Sequence, residues 1–242
     1  MKRRNFLSAF FATLPLLISA RKLAAVSPGR TKEQVDVINA GIGGNTTLDL
    51  LERIEKDCLI HNPDLTILMV GTNDMNSRKY IPIMQYEKNL REIIRKILKS
   101  KSNIVLMNLL PVYEPYLFTR HDPAFYNPEG HKERLAQMNL LIEKIAGEYQ
   151  LSFLDIHRVF EKIGNIGLDK SSLIKNMENS NVADGLHPTD DGYRVIGLLV
   201  HQHLKYNKMP ASKIVCFGDS ITHGDGGTNG NSYPAYLKKL LS

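Results

Sequence analysis

Cysteine is scarce: Cys58 and Cys216 are the two in 242 residues. Cys58 falls on a helical pattern and Cys216 inside an apolar run, so both read as buried free thiols and not as a disulfide framework. No Cys/His spacing resembles a zinc site. His201 and His203 are two apart, and helical residues at that spacing face different ways. Also missing is an apolar run long enough to cross a bilayer, which takes about 20 residues; the uncharged stretch 5–20 falls short. Nor is there an excess of charge outside the leader. The formal net charge is +6, but five of the 31 basic residues and none of the 25 acidic ones fall in the first 25 positions. The remainder is close to neutral, which leaves a nucleic-acid role without its electrostatic footprint. No internal repeat, low-complexity tract or interdomain linker is visible, and the length suits one α/β domain.

The first residues are MKRRNFLSAFFATLPLLISARKLAA. A basic start, an uncharged core and small residues after it are the layout of a secretory signal. RRNFL is similar to a twin-arginine export signal. The expectation is a cleaved signal over 1–25, one domain over 26–242, and a periplasmic or extracellular protein. The alternative is an anchor formed by an uncleaved N-terminal segment. No cysteine lies near the cleavage region, which argues against a lipoprotein.

From there strand and helix patterns alternate. Strands are expected at 35–39, 65–70, 104–110, 152–156 and 214–217. Helices are expected after Thr46 or Thr47, and over 85–99, 129–149, 190–204 and from about Tyr233. The run LTILMV at 65–70 is apolar throughout, as in a strand covered on both faces. The segment 113–130 reads as a long aromatic loop over a site, and 164–183 as loop with one helical turn. Such alternation predicts a three-layer α/β/α sandwich around a mostly parallel, flavodoxin-like sheet. Ligands of such sheets bind beyond the carboxyl ends of the strands.

Four polar pieces fall at those ends or in the loop before a helix: GIGGN (41–45), GTND (71–74), DGLHP (184–188) and GDSIT (218–222). Each alone would pass for a turn. Together they resemble the four sequence blocks of the SGNH hydrolases, the GDSL esterase/lipase family, over nearly all of 35–242. The resemblance implies a catalytic triad of Ser220 as nucleophile, His187 as base and Asp184 as its orienting acid. It also implies an oxyanion hole from the backbone N–H groups of Ser220 and Gly44 and the side-chain amide of Asn73. No metal or organic cofactor is implied, and the partner is a small-molecule ester. These residue types suit the chemistry: a serine hydroxyl needs a base to become nucleophilic, and imidazole can take a proton and return it near neutrality.

There are departures. The family's glycine block often carries an acid where this chain has Asn45. His223, three residues past Ser220, is a rival base by type, and His187 is preferred. Asn45-Thr46-Thr47 matches a glycosylation sequon, but its place in the site argues against attachment. The larger departure is order. The GDS block stands last here, although the cyclic order of the blocks is intact. The chain resembles a circularly permuted member, with the joint at 205–213 and the opening within 26–34. In that case strand 213–218 sits in the interior of the sheet. A swapped dimer, in which the tail completes a neighbour's sheet, is the alternative.

The expected activity is hydrolysis of short acyl esters of a carbohydrate or similar polar alcohol through an acyl-enzyme on Ser220. Lysophospholipase or thioesterase activity is the enzymatic alternative, and an inactive binding module on the same scaffold is the non-enzymatic one.

Overall fold

The computed structural model describes residues 35–209, 212–227 and 229–242. The signal, the proposed opening at 26–34 and residues 210–211 of the joint lie outside them. Five strands form one parallel sheet: β1 (Asp36–Gly41), β2 (Leu65–Met69), β3 (Asn103–Met107), β4 (Ser152–Leu154) and β5 (Lys213–Gly218). Their order is β1-β5-β2-β3-β4. The last strand is therefore interior. Asp36 to Gly41 lie opposite Lys213 to Gly218, and Leu65 to Met69 lie opposite Ile214 to Gly218. Counting β5 first turns the order into 2-1-3-4-5, that of the flavodoxin-like sheet.

Helices cover both faces. On one face are α1 (Thr47–Asp57), α2 (Ile83–Lys99) and α4 (His131–Glu148), packing Leu50, Ile54, Leu90, Ile94 and Ile142 against Leu68, Leu106 and Phe217. On the other are α5 (Ile156–Ile163), α7 (Asp190–Tyr206) and α9 (Tyr233–Leu241), packing Phe160, Tyr193, Val200 and Leu237 against Ile67, Val105 and Cys216. The three-layer architecture follows from this alternation. All of β2 is buried, and Val215 to Gly218 are buried likewise, so alternate side chains feed opposite cores. Both cysteines are buried and free.

Three boundaries differ from the sequence reading. β3 stops at Met107 although Leu109 and Leu110 follow Asn108, because the Asn139 side chain takes over both backbone groups of Leu109 at 2.8 and 3.1 Å. β4 stops at Leu154, and Ile156 opens α5, a helix that the sequence reading missed. Asp155 caps it by accepting from Arg158 N at 3.0 Å, so the strand, cap and helix start SFLDI had read as one strand. The segment 113–130 is not irregular throughout: it holds α3 (Glu114–Leu117) and a 3-10 turn, Pro123–Tyr126. Two short helices complete the set, α6 (Met177–Ser180) and α8 (Ser220–His223). Among the described residues no helix is long and apolar enough to cross a membrane.

Candidate active site

The carboxyl ends of β1, β5 and β2 are neighbours, so the loops that follow them converge. β5 ends at Gly218, Asp219 caps α8 by accepting from Ile221 N at 2.9 Å, and Ser220 is the first residue of the helix. A side chain at Gly218 would stand 2.3 Å from the Met69 carbonyl oxygen, so the turn closes tightly on β2. After β1, Gly44 adopts a left-handed φ of 75°, and Thr46 then caps α1 in a capping box with Asp49. After β2, the buried Asp74 accepts from Thr47 N at 3.0 Å and from Thr47 Oγ1 at 2.5 Å, fixing the Asn73 loop against the start of α1. Burial raises the Asp74 pKa to about 6 against these hydrogen bonds.

The fourth piece arrives from the loop before α7. Asp184 Oδ1 accepts from Leu186 N at 2.9 Å and from His187 N at 2.7 Å, while its Oδ2 lies 2.9 Å from His187 Nδ1. His187 Nε2 lies 3.0 Å from Ser220 Oγ. With Nδ1 donating to the carboxylate, Nε2 is left as the acceptor for the hydroxyl proton. Burial alone would raise the Asp184 pKa; the hydrogen bond and charge of His187 outweigh it and hold the acid at about 2.

The structure thus brings together all five residues singled out from the sequence. Gly44, Asn73, His187 and Ser220 line one cavity of about 190 Å³, with Asp184 bonded to the far side of the imidazole. Asn73 Nδ2 donates to Asn45 O at 2.9 Å. That bond uses one of two amide protons and fixes the direction of the other. The rival base points elsewhere: His223 Nδ1 is 3.1 Å from the carbonyl of Gly41. A larger cavity of about 470 Å³ opens between Tyr113, His131 and His157 and contains none of these groups.

Sequence reasoning missed the residues that hold the site. Arg53 reaches from α1 to Asn45 Oδ1 at 2.6 Å, Ala40 O at 2.9 Å and Gly218 O at 2.8 Å. Its signal was available: a charged residue on the apolar stripe beside Leu50 and Ile54. Arg120 donates to the carbonyls of Ala183 and Asp184 at 2.9 and 2.6 Å, and Tyr113 N donates to Gly185 O at 2.8 Å. The segment 113–130 is therefore a strap across the Asp184–His187 turn. Its far side is tied to the Asn73 loop by Ser77 Oγ and His121 Nδ1, 2.9 Å apart.

Residues 19–195 match the GDSL-like lipase/acylhydrolase family, well over half of the chain. The chain belongs to that family. The match ends before β5, so the GDS block lies outside the matched span. An acetylxylan esterase of Geobacillus stearothermophilus is 26% identical over 171 residues, 67% of this chain and 68% of that protein. An uncharacterized lipoprotein of Bacillus subtilis (strain 168), YqeF, is 26% identical over 175 residues, 68% of this chain and 64% of that protein. The chain thus spans slightly under two thirds of the lipoprotein's length. A lipase/acylhydrolase from Enterococcus faecalis shares the fold with a TM-score of 0.52 at 22% identity, covering 68% of this chain and 72% of that one.

Proposed function

We propose that this enzyme is a serine esterase that removes short acyl groups, acetyl in first place, from a carbohydrate or similar polar alcohol. The observation that carries the reading is the line Asp184 Oδ2, His187, Ser220 Oγ at 2.9 and 3.0 Å. Ser220 Oγ attacks the ester carbonyl as His187 Nε2 takes its proton. Asp184 holds the tautomer and stabilises the imidazolium. The tetrahedral oxyanion is met by the N–H groups of Gly44 and Ser220 and the second amide proton of Asn73. Each such donor is worth about 100- to 1000-fold in rate. Collapse expels the alcohol, which leaves with the proton from His187. Water, deprotonated by the same imidazole, then attacks the acyl-enzyme and frees the acid and Ser220.

Two observations support a short acyl group. The cavity of about 190 Å³ lies below the usual range for sites that enclose drug-sized ligands. A relative at 26% identity is an acetylxylan esterase. Export is part of the same reading, through the leader over 1–25, and a relative named as a lipoprotein accords with it. The order of the blocks is read as a circular permutation, supported by the interior position of β5 and by a family match that stops before it.

A fluorophosphonate probe with p-nitrophenyl acetate and octanoate tests the proposal. The folded protein is expected to label at Ser220 and to prefer acetate steeply, and Ser220→Ala is expected to abolish both labelling and turnover. Hydrolysis unchanged in Ser220→Ala would overturn the assignment, and an octanoate preference would favour lysophospholipase or thioesterase activity.

A further inference from the structure

We propose that the catalytic pocket recognises an anionic group, a carboxylate in first place, carried on the ester substrate beside the scissile bond. The inference rests on the esterase reading above and narrows its substrate class.

The pocket wall carries one full charge, and it is positive. Arg120 lines the same cavity as Ser220 and His187, while no carboxylate does among the described residues. Asp184 sits behind the imidazole with both oxygens engaged, and Asp74 and Asp219, next to Asn73 and Ser220 in the chain, are fully buried. Arg120 is held by two backbone carbonyls, and these are dipoles, not counter-ions. It makes no ion pair among the described residues, so its charge stands unneutralised. Two of its five N–H donors are used by those carbonyls. Three donors remain on a planar group whose chemistry suits a carboxylate in a way that an ammonium does not.

The surroundings carry the same sign. Arg78 is exposed and without an ion pair among the described residues. Lys79 Nζ sits 2.8 Å from the carbonyl of Gly44, beside the proposed oxyanion donor. Its one acidic partner, Asp49, lies at 3.5 Å and also accepts from Thr46. Asp122, next to His121, is committed to capping Ala124 N at 2.9 Å. His121 registers the field: burial first, then the charges of Arg78 and Arg120, push its pKa down. A neutral His121, steadied by Ser77, contributes hydrogen bonding without adding charge. Arg120 also holds the Asp184–His187 turn, but a neutral acylated sugar would leave its charge without a counter-ion. An ester of a sugar acid, or an acyl group ending in a carboxylate, would supply the missing counter-ion.

The test uses matched ester pairs. On the alcohol side, 4-acetoxybenzoate is compared with its methyl ester. On the acyl side, p-nitrophenyl hemisuccinate is compared with p-nitrophenyl butyrate. The readout is the ratio of kcat/KM for the anionic and neutral member of each pair, in wild type, Arg120→Gln and Arg78→Ala. A purely structural role for Arg120 would slow both members equally and leave the ratio alone. Loss of a charge-assisted contact is expected to lower the ratio about tenfold in Arg120→Gln, mainly through KM. The exposed Arg78→Ala is expected to lower it about twofold, and added salt to erode it further. The pair that responds identifies whether the anion sits on the alcohol or on the acyl group. Ratios unchanged in both variants and insensitive to salt, with the neutral esters still hydrolysed, would overturn the proposal while leaving the esterase reading intact. Failure of the wild type on all four esters removes both.

Discussion

Arg53 Nη2 donates to the carbonyl of Gly218 at 2.8 Å across 165 residues of chain. The same guanidinium reaches Ala40 O and Asn45 Oδ1, and its carbon lies 4.6 Å from the Phe217 ring centroid. One cation on α1 thus ties the ends of β5 and β1 to the loop that carries Gly44. It is only 5% exposed, with Asp57 as its acidic partner at 3.2 Å. Arg53→Ala removes the side-chain donor from two buried carbonyls, of which Gly218 O keeps Ile42 N at 3.2 Å, and is expected to cost about 3 kcal/mol. Arg53→Lys is expected to restore less than half of that, since an ammonium cannot reproduce the fork. Urea denaturation of both variants measures it, and a loss under about 1 kcal/mol in the alanine variant would show the clamp to be incidental.

Asp184 is predicted to matter more to rate than to binding. In Asp184→Asn the amide can still accept from Leu186 N and His187 N, but it faces Nδ1 with a donor and favours the wrong tautomer. The expected result is a fall in kcat of about 10⁴-fold with little change in KM. Steady-state kinetics on p-nitrophenyl acetate decide it, and a loss under about tenfold would remove Asp184 from the proposed triad.

Much of this site was legible because its residues sit in short local blocks. The pieces that hold Gly44, Asn73, Asp184, His187 and Ser220 would each pass for a turn, and it is the resemblance of all four together to the family's blocks that singles those residues out. What stayed hidden depends on contacts between distant segments. Nothing near Arg120 says that its guanidinium will meet the carbonyl of Asp184, 64 residues on. Arg53 was hidden differently: its position on the buried stripe was visible, but its partners lie on other loops. Helix α5 was obscured because a three-residue strand and an aspartate cap share one short apolar stretch.

The buried acid beside Ser220 predicts a pH-dependent stability. Asp219 is fully buried, and its Oδ2 has no hydrogen-bond partner among the described residues. Burial raises its pKa to about 7, against the bond from Ile221 N and the charge of His187. A carboxyl with a higher pKa folded than unfolded holds more protons when folded between the two values. Its contribution to stability is then present below about pH 4 and is lost as pH rises towards 7. Asp74, raised to about 6, acts in the same direction. Asp219→Asn keeps an acceptor for Ile221 N but cannot ionise. Denaturation at pH 4.5 and 7.5 is expected to show a smaller loss across that interval in the variant than in the wild type. Equal losses would mean that Asp219 does not titrate there.

The interior position of β5 makes the boldest structural prediction. Both of its edges are used, by β1 on one side and β2 on the other, and among the described residues β1 has no other strand partner. A chain cut after residue 209 would leave β1 unpaired and expose the apolar faces of Val215, Cys216 and Phe217's neighbours in both layers. It is expected to be unfolded or aggregated. Moving residues 212–242 ahead of residue 35 should have no such effect, because every strand keeps its neighbours. The new join runs from the end of α9 to the start of β1, and α9 packs beside β1. The rearranged chain, joined by a short Gly/Ser linker, is expected to match the original in far-ultraviolet circular dichroism and in kcat/KM for p-nitrophenyl acetate within about threefold. A rearranged chain that folds only as a dimer would point to exchange of β5 between copies. One that is monomeric and active would show that the order of the blocks is free while their placement in the sheet is not.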